Sequence, residues 1–288
     1  MMFTMDKKNN NRIFRISELP YLELKYSSSF HECSQKHYHN MICILALKVG
    51  QAKIVINNKE VILEKNKLVI INPNEVHFSI TDKTSKDYSV MYIDRSWYKK
   101  LQNHIYNIDD ILALPNKIDD EYLFNEFFTL FEYLYTNDEV IEKESKLLEF
   151  LKIIFSKYIS KNEFLKIDET TQISKEFKKY IEENISSKLT LTDISNILGF
   201  SPYHIIRVCK QDFGLSANAY IVNKRVHRAK KLISEGIDII DVANEVGFYD
   251  QSHLTNVFKK VFAITPKAYQ KDIKNSLLKE KINNEFNG

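Results

Sequence analysis

Hydrophobic positions change their period twice along this chain of 288 residues. As far as about Asp94 they alternate. KIVINNKEVILEK reads as two strands around an Asn57-Asn58-Lys59 turn, with Gly50 in the turn before it. KLVIINP is a buried strand stopped by Pro73, and YSVMYID is another. Several short strands in so few residues predict an antiparallel sandwich or barrel. From Glu121 the period becomes helical: Leu123, Phe127, Phe131 and Leu134 share a face. A second helix around Ser145–Ser160 aligns Leu147, Leu148, Leu151, Ile154, Phe155 and Tyr158. These two helices either pack on the chain's own sheet, present a dimer face, or do both. KNEFLKIDETTQ then loses periodicity and reads as a short connector. Beyond it the pattern is helical throughout, and Gly199, Gly214, Gly236 and Gly247 each fall where a helical run stops.

Within that last region a unit repeats. Asp193, Ile194, Asn196, Gly199 and Phe200 correspond to Asp241, Val242, Asn244, Gly247 and Phe248, 48 residues on. After the turn the offset becomes 49, and Ile205, Val208, Cys209 and Phe213 correspond to Leu254, Val257, Phe258 and Phe262. The pattern predicts a helix-turn-helix, twice: a short helix over Thr192–Leu198 or Ile239–Val246, a glycine able to turn left-handed, a buried phenylalanine, and a second helix. The outward face of that second helix carries Tyr203, Ile206, Arg207, Lys210 and Gln211 in one copy. In the other it carries Gln251, Ser252, His253, Thr255, Asn256, Lys259 and Lys260. Arg suits guanine, Asn and Gln suit adenine, and Lys suits phosphate. A long helix, ANAYIVNKRVHRAKKLI, joins the copies and bears Lys224, Arg225, Arg228, Lys230 and Lys231, some of them candidates for phosphate contact.

The segments FGLSANAY, RVHRAKKL and IIDVANEVGFYDQSHLTNVFKKVFAITPKAY resemble the DNA-binding domain of AraC/XylS-type transcription regulators. The resemblance covers about 100 residues. Three positions depart from it: Ala263 stands where the family usually has Gly, Val226 where Leu is common, and Cys209 where a large aromatic is usual. The last leads us to expect looser packing in the first copy. The resemblance implies base reading by Tyr203, Ile206, Arg207, Gln251, Ser252, His253 and Asn256, and phosphate contacts by Lys210, Thr255, Lys259, Lys260 and Arg228. Ile206 can read only a thymine methyl or DNA shape, which leaves most of the first helix's specificity to Arg207.

Charge adds little to this. The net charge is +3, and residues 172–272 hold 15 basic against 11 acidic side chains, a mild basicity toward an anionic partner. Cys33, Cys43 and Cys209 form no disulfide framework, and no run of about 18 apolar residues occurs, so the expectation is a cytoplasmic protein with no membrane span.

The front end has its own constellation. His37, His39, Met41 and Cys43 share one strand face in HYHNMICILALKVG, and His77 follows the Pro73 turn in NKLVIINPNEVH. This pattern resembles the cupin-type sensor preceding the helix-turn-helix pair in many AraC-like regulators. Metal-binding cupins place a Glu where Cys43 roughly stands, so iron oxygenase chemistry is disfavoured. The reading favours a small organic effector contacted by His37, His39, Cys43 and His77, with no metal, no cofactor and no catalytic residue. Zinc on these same four residues stays open, as do histidines that merely satisfy backbone groups.

The expectation is thus a multidomain β + α protein. A cupin-like β-barrel (1–118) with flanking helices (119–161, dimerisation) and a linker (162–172) precedes an all-α domain of two helix-turn-helix units joined by a long helix (173–272), with a polar tail (273–288). The function expected is effector-responsive regulation of transcription, by analogy activation, as a homodimer on double-stranded DNA in contact with RNA polymerase. The alternative is a metal-dependent cupin enzyme with an appended DNA-binding domain.

Overall fold

The computed structural model describes residues 11–28, 33–81, 86–136, 139–159 and 171–286, with side chains of the last helix described to Ser276. Its first half is a pair of antiparallel sheets. One contains β1 (Asn11–Arg15), β2 (Leu22–Ser27), β8 (Lys86–Asp94), β3 (Met41–Val49), β6 (Lys67–Ile71) and β9 (Lys117–Asp119), neighbours in that order. The other contains β5 (Lys59–Glu64), β4 (Gln51–Ile56) and β7 (His77–Thr81). The β4–β5 hairpin closes on Asn57 and Asn58, both with positive φ, as a two-residue primed turn requires.

Strand β3 explains the architecture. MICILALKV is apolar at nearly every position because both of its faces are covered. Ile42, Ile44 and Ala46 point to a layer of helices, whereas Cys43, Leu45 and Leu47 point into the space between the sheets. Strand β6 divides in the same way: Leu68 and Ile70 lie under the helices, Val69 and Ile71 inside. The covering layer is α1 (Arg95–Tyr106), α2 (Glu121–Thr136) and α3 (Val140–Tyr158). Phe127, Leu123, Leu151 and Phe155 are buried there, so the aromatic stripe of α2 packs on the chain's own sheet. Each such side chain contributes about 1.5–3 kcal/mol. Helix α1 was not anticipated from the pattern. It starts because Asp94, the last residue of β8, accepts from the Ser96 and Trp97 amides at 2.8 and 3.2 Å, an N-cap at a strand end.

The second half is helical: α4 (Gln172–Glu183), α5 (Leu191–Leu198), α6 (Pro202–Asp212), α7 (Ala217–Ser234), α8 (Ile239–Glu245), α9 (Gln251–Phe262) and α10 (Pro266–Phe286). The connector expected over 162–172 falls, up to residue 170, outside the described residues. The segment expected as a polar tail is instead a continuation of α10 to Phe286. The physical reason is β1, which lies along this helix. Ile13 joins the same apolar cluster as Ile273, and the Ile13 amide donates to Asp272 Oδ2 at 3.1 Å.

Candidate nucleic-acid interface and the cavity behind it

Both repeated units fold as helix-turn-helix. In the first, the Thr190 hydroxyl accepts from the Asp193 amide to start α5, and Gly199 (φ +72°) ends it. Ser201 and Pro202 then start α6. In the second, Asp238 starts α8, Gly247 (φ +78°) makes the turn, and Asp250 accepts from the His253 amide at 2.6 Å to start α9. The two glycines differ in their surroundings. A Cβ on Gly199 would meet nothing within 4 Å, whereas one on Gly247 would lie 2.8–2.9 Å from the carbonyls of Ile185 and Ser186 and from the Arg225 guanidinium. Cys209, the expected weak point of the first copy, is fully buried. Phe213 and Phe177 pack on Tyr220 at ring separations of 4.3 and 5.6 Å and supply aromatic bulk in the same cluster.

The outward faces of α6 and α9 are open. Tyr203 is 76% and Ile206 42% exposed, and Arg207, Lys210 and Gln211 are exposed beside them. On α9, Gln251, Ser252, His253, Asn256, Lys259 and Lys260 are exposed and Thr255 is half-buried. The His253 ring packs edge-on against Phe248, which orients it.

The basic residues of α7 have other partners. Lys224 pairs with Glu182 at 2.8 Å, and Arg225 donates to the carbonyls of Ile185 and Ser187. Arg228, a candidate phosphate contact, is half-exposed and pairs with Glu245 at 3.3 Å. Lys230 reaches Glu23 of the barrel at 2.6 Å. The charge crowded on α7 therefore largely ties the domain together.

Behind the interface lies a cavity of about 200 Å³. Its barrel wall includes His37, His39, Cys43 and His77. Its other wall is made by His227 and Lys230 of α7 and by Val261 and Phe262 at the end of α9. All four candidate sensor residues are therefore brought together. An isolated antiparallel bridge joins His37 to His77 through reciprocal backbone hydrogen bonds of 3.1 and 2.8 Å, setting their rings 4.2 Å apart. The His39 ring lies 4.7 Å from that of His77, and the Cys43 Sγ lies 3.3 Å from His39 Nε2. One ring nitrogen of each histidine falls within 4.8 Å of the others. The Nδ1 atoms face backbone carbonyls: His37 that of Gln35 (2.8 Å), His77 that of Glu75 (2.8 Å) and His39 that of Met41 (3.2 Å). Such bonds place the proton on Nδ1 and leave Nε2 as an acceptor. Burial pushes His37 and His39 well below the ordinary imidazole range and His77 down to about 4, and it drives the Cys43 thiol well up. The three rings are therefore neutral at neutral pH.

Sequence reasoning did not find the residues that join the two halves. Glu23, on β2, accepts from Arg15 at 3.0 Å and from Lys230 at 2.6 Å, and Tyr269 donates to it at 3.4 Å. Burial alone would raise the Glu23 pKa, but Lys230 and Arg15 outweigh it and hold it below the usual carboxylate range. Two residues along, the buried Lys25 donates to the carbonyl of Phe262 at 2.9 Å. Asn11 donates to the carbonyl of Ala263 at 2.7 Å, and the Gln35 amide to that of Lys260 at 3.4 Å. The barrel thus caps the C-terminal carbonyls of the second unit's exposed helix. At the first unit, Asn223 of α7 bonds both the amide and the carbonyl of Tyr38, the residue between His37 and His39. LELKYS does show one polar face, which hints at Glu23 and Lys25. Nothing in the sequence says what covers it.

A two-sheet domain with a cavity against the helical domain, fused to two helix-turn-helix units with open polar faces, defines a ligand-binding DNA-binding regulator. Comparison with known families agrees: residues 26–151 match the AraC-like ligand binding domain and residues 194–272 the helix-turn-helix domain. The chain belongs to the AraC family of transcription regulators. The helix-turn-helix transcriptional regulator YbfI of Bacillus subtilis is 24% identical over 253 residues, spanning 86% of this chain and 90% of that one. The multiple antibiotic resistance protein MarA of Escherichia coli is 34% identical over 92 residues, 32% of this chain and 72% of its own. Among solved structures, apo ToxT of Vibrio cholerae superposes with a TM-score of 0.58 at 17% identity, covering 88% of this chain and 98% of ToxT. ToxT bound to an unsaturated fatty acid gives 0.54 at 18%, covering 92% and 97%. At such identities the likeness concerns the fold. No helix among the described residues is long and apolar enough to cross a membrane.

Proposed function

We propose that a small effector occupies the cavity between the barrel and the helical domain and thereby sets how the two exposed helices meet DNA. The observation that carries this reading is the shared wall. His37, His39 and His77 lie on one side; the C-terminal end of α9, itself capped by barrel residues, lies on the other. An occupant touching both sides changes the energy of one domain arrangement against another, which is what linkage requires. The cavity is smaller than the roughly 300–1,000 Å³ typical of drug-sized ligands, so the occupant is small. The unsaturated fatty acid bound to ToxT is not carried over on this account.

On the DNA side the reading assigns base contacts to Tyr203, Ile206, Arg207, Gln251, Ser252, His253 and Asn256. Phosphate contacts fall to Lys210, Thr255, Lys259 and Lys260, with Arg228 available once Glu245 releases it. The protein acts by binding rather than by turnover, in keeping with relatives that are transcription regulators. Activation through RNA polymerase and a homodimer formed by α2 and α3, whose Tyr122 and Ile141 are exposed, complete the proposal.

Selection of bound fragments from genomic DNA by the full chain tests it. The expected result is a site with two recognised segments one helical turn apart, about 34 Å. A reporter on that promoter should respond to growth conditions and lose the response in Ser234→Phe, which fills the cavity from α7. Binding without sequence preference, or a response untouched by Ser234→Phe, would reject the reading.

A further inference from the structure

The proposal here rests on the reading of this cavity as the effector pocket and names the class of its occupant. We propose that His37, His39, His77 and Cys43 bind one borderline divalent transition-metal ion, of the Zn²⁺ class, and that this ion is an effector of the regulator.

Convergence is the first observation. Residues from two separate parts of the chain are locked side by side by the His37–His77 bridge, and His39 and Cys43 follow on the same face. One nitrogen from each ring already falls within 4.8 Å of the others. In a tetrahedral zinc site with Zn–N of about 2.0–2.1 Å, such nitrogens stand about 3.3 Å apart. Small side-chain rotations close that gap. The Cys43 Sγ, 3.3 Å from His39 Nε2, is already at the separation of two ligands on one ion.

The second observation is orientation. Each Nδ1 is engaged by a backbone carbonyl, which is the outer-shell arrangement that fixes a metal-ligating histidine. Each Nε2 then keeps its lone pair toward the cavity, and that of His39 already lies 3.3 Å from the Cys43 thiol. As the metal–sulfur bond forms, Cys43 gives up its thiol proton to solvent.

A third observation comes from the helical domain. His227 of α7 faces the same cavity, bonds the Tyr38 backbone, and has a buried Nε2 with no partner. A lone pair buried this way calls for a cation or a proton donor in the cavity. The donor set of three imidazoles and one thiol selects zinc-like ions over Mg²⁺, Ca²⁺ or Mn²⁺, which prefer oxygen. The route to DNA is short. Tyr38 sits between two of the ligands, and Asn223 of α7 grips its backbone on both sides, so drawing His37 and His39 onto an ion moves the segment on which α7 rests.

The test uses the full chain after dialysis against chelator, with Co²⁺ as an optical probe and Zn²⁺ as competitor. The expected result is one Co²⁺ per chain, with tetrahedral visible bands and a thiolate-to-cobalt charge-transfer band, displaced by Zn²⁺. His77→Ala should weaken binding on the order of 100-fold or more. Cys43→Ser should keep an ion bound but lose the charge-transfer band. His39→Gln serves as a second ligand variant, and the thermal transition of each metal-free variant reports folding. A folded chain that takes up no Co²⁺, or a spectrum indifferent to Cys43→Ser, overturns the site. For the regulatory half, Zn²⁺ should change promoter affinity by about 5–150-fold in the wild type. Asn223→Ala should bind Co²⁺ equally well and lose that change. An ion that binds without altering DNA affinity overturns the effector role. A chain that binds no ion yet responds to an organic molecule overturns this inference and leaves the effector pocket standing.

Discussion

The two helix-turn-helix units share one plan and are mounted in different ways. The first touches the barrel through its mouth, where Tyr38 and Val76 pack against the cluster containing Tyr220 and Ile205, and where Asn223 holds Tyr38. The second is held by strand backbone and buried charge: β1 lies along α10, Glu23 engages Lys230, and Lys25 caps α9. His37 and His39 flank Tyr38 in this contact, so on the proposed reading it is the one that a ligand would change. The second resembles a hinge. It combines a buried ion pair with capped carbonyls, which tolerate little displacement before donors and acceptors are left unpaired.

The largest expected effect comes from breaking that hinge. Glu23→Ala strands Lys230 and Arg15, with the Lys230 side chain only 13% exposed, and should cost about 3–5 kcal/mol in denaturant unfolding. A loss below about 1 kcal/mol would mean that the charge pair is not what fixes the second unit.

Next is the contrast between the two turns. Gly247→Ala meets both a left-handed backbone and carbonyls at 2.8–2.9 Å, and should destabilise by about 2–4 kcal/mol. Gly199→Ala meets open space and pays only the backbone term, about 1 kcal/mol. Equal losses in thermal unfolding would show that the two turns are not different after all.

That contrast also marks what was legible beforehand. The repeat offset of 48 and then 49, both glycines, the two amphipathic helices and the four residues that meet at the cavity follow from periodicity and motif, because each is a local pattern. The docking is not local. Glu23 and Lys25 lie in LELKYS, a segment to which the pattern assigned no role, and Lys230 reads as one more cation on a basic helix. Only the covering of one domain by the other turns them into a buried clamp. The same blindness made residues 273–286 look like a tail: their sequence is polar, and their helix is held by β1 from the opposite end of the chain. Helix α1 escaped because its start signal, Asp94, also ends a strand.

On DNA the proposed contrast is between a residue assigned to base reading and one assigned to phosphate. Arg207→Ala should cost about 1–3 kcal/mol at its cognate base and relax preference there. Lys259→Ala should weaken binding to every sequence alike and reduce the salt slope by about 0.9. Binding isotherms at several salt concentrations on cognate and mutated sites separate the two; a uniform loss for Arg207→Ala would move it to the phosphate class.

The smallest effect concerns the end of α9, where the second unit meets the barrel. Ala263 adopts φ +56° as the left-handed C-cap, with its amide bonded to the Lys259 carbonyl, at a position where the family resemblance leads one to expect glycine. A left-handed alanine carries a strain of about 1–2 kcal/mol, partly offset because alanine loses less backbone entropy on folding. Ala263→Gly should therefore stabilise the chain by about 0.5–1 kcal/mol, a rise of a few degrees at most in the melting temperature for a protein of this size. The Ala263 side chain is also buried, and its carbonyl receives Asn11, so the substitution removes one methyl from the seam while leaving that hydrogen bond in place. If relief of strain dominates, the variant melts higher and Asn11→Ala lowers both proteins equally. If Ala263→Gly melts lower, the packing of the buried methyl outweighs the strain.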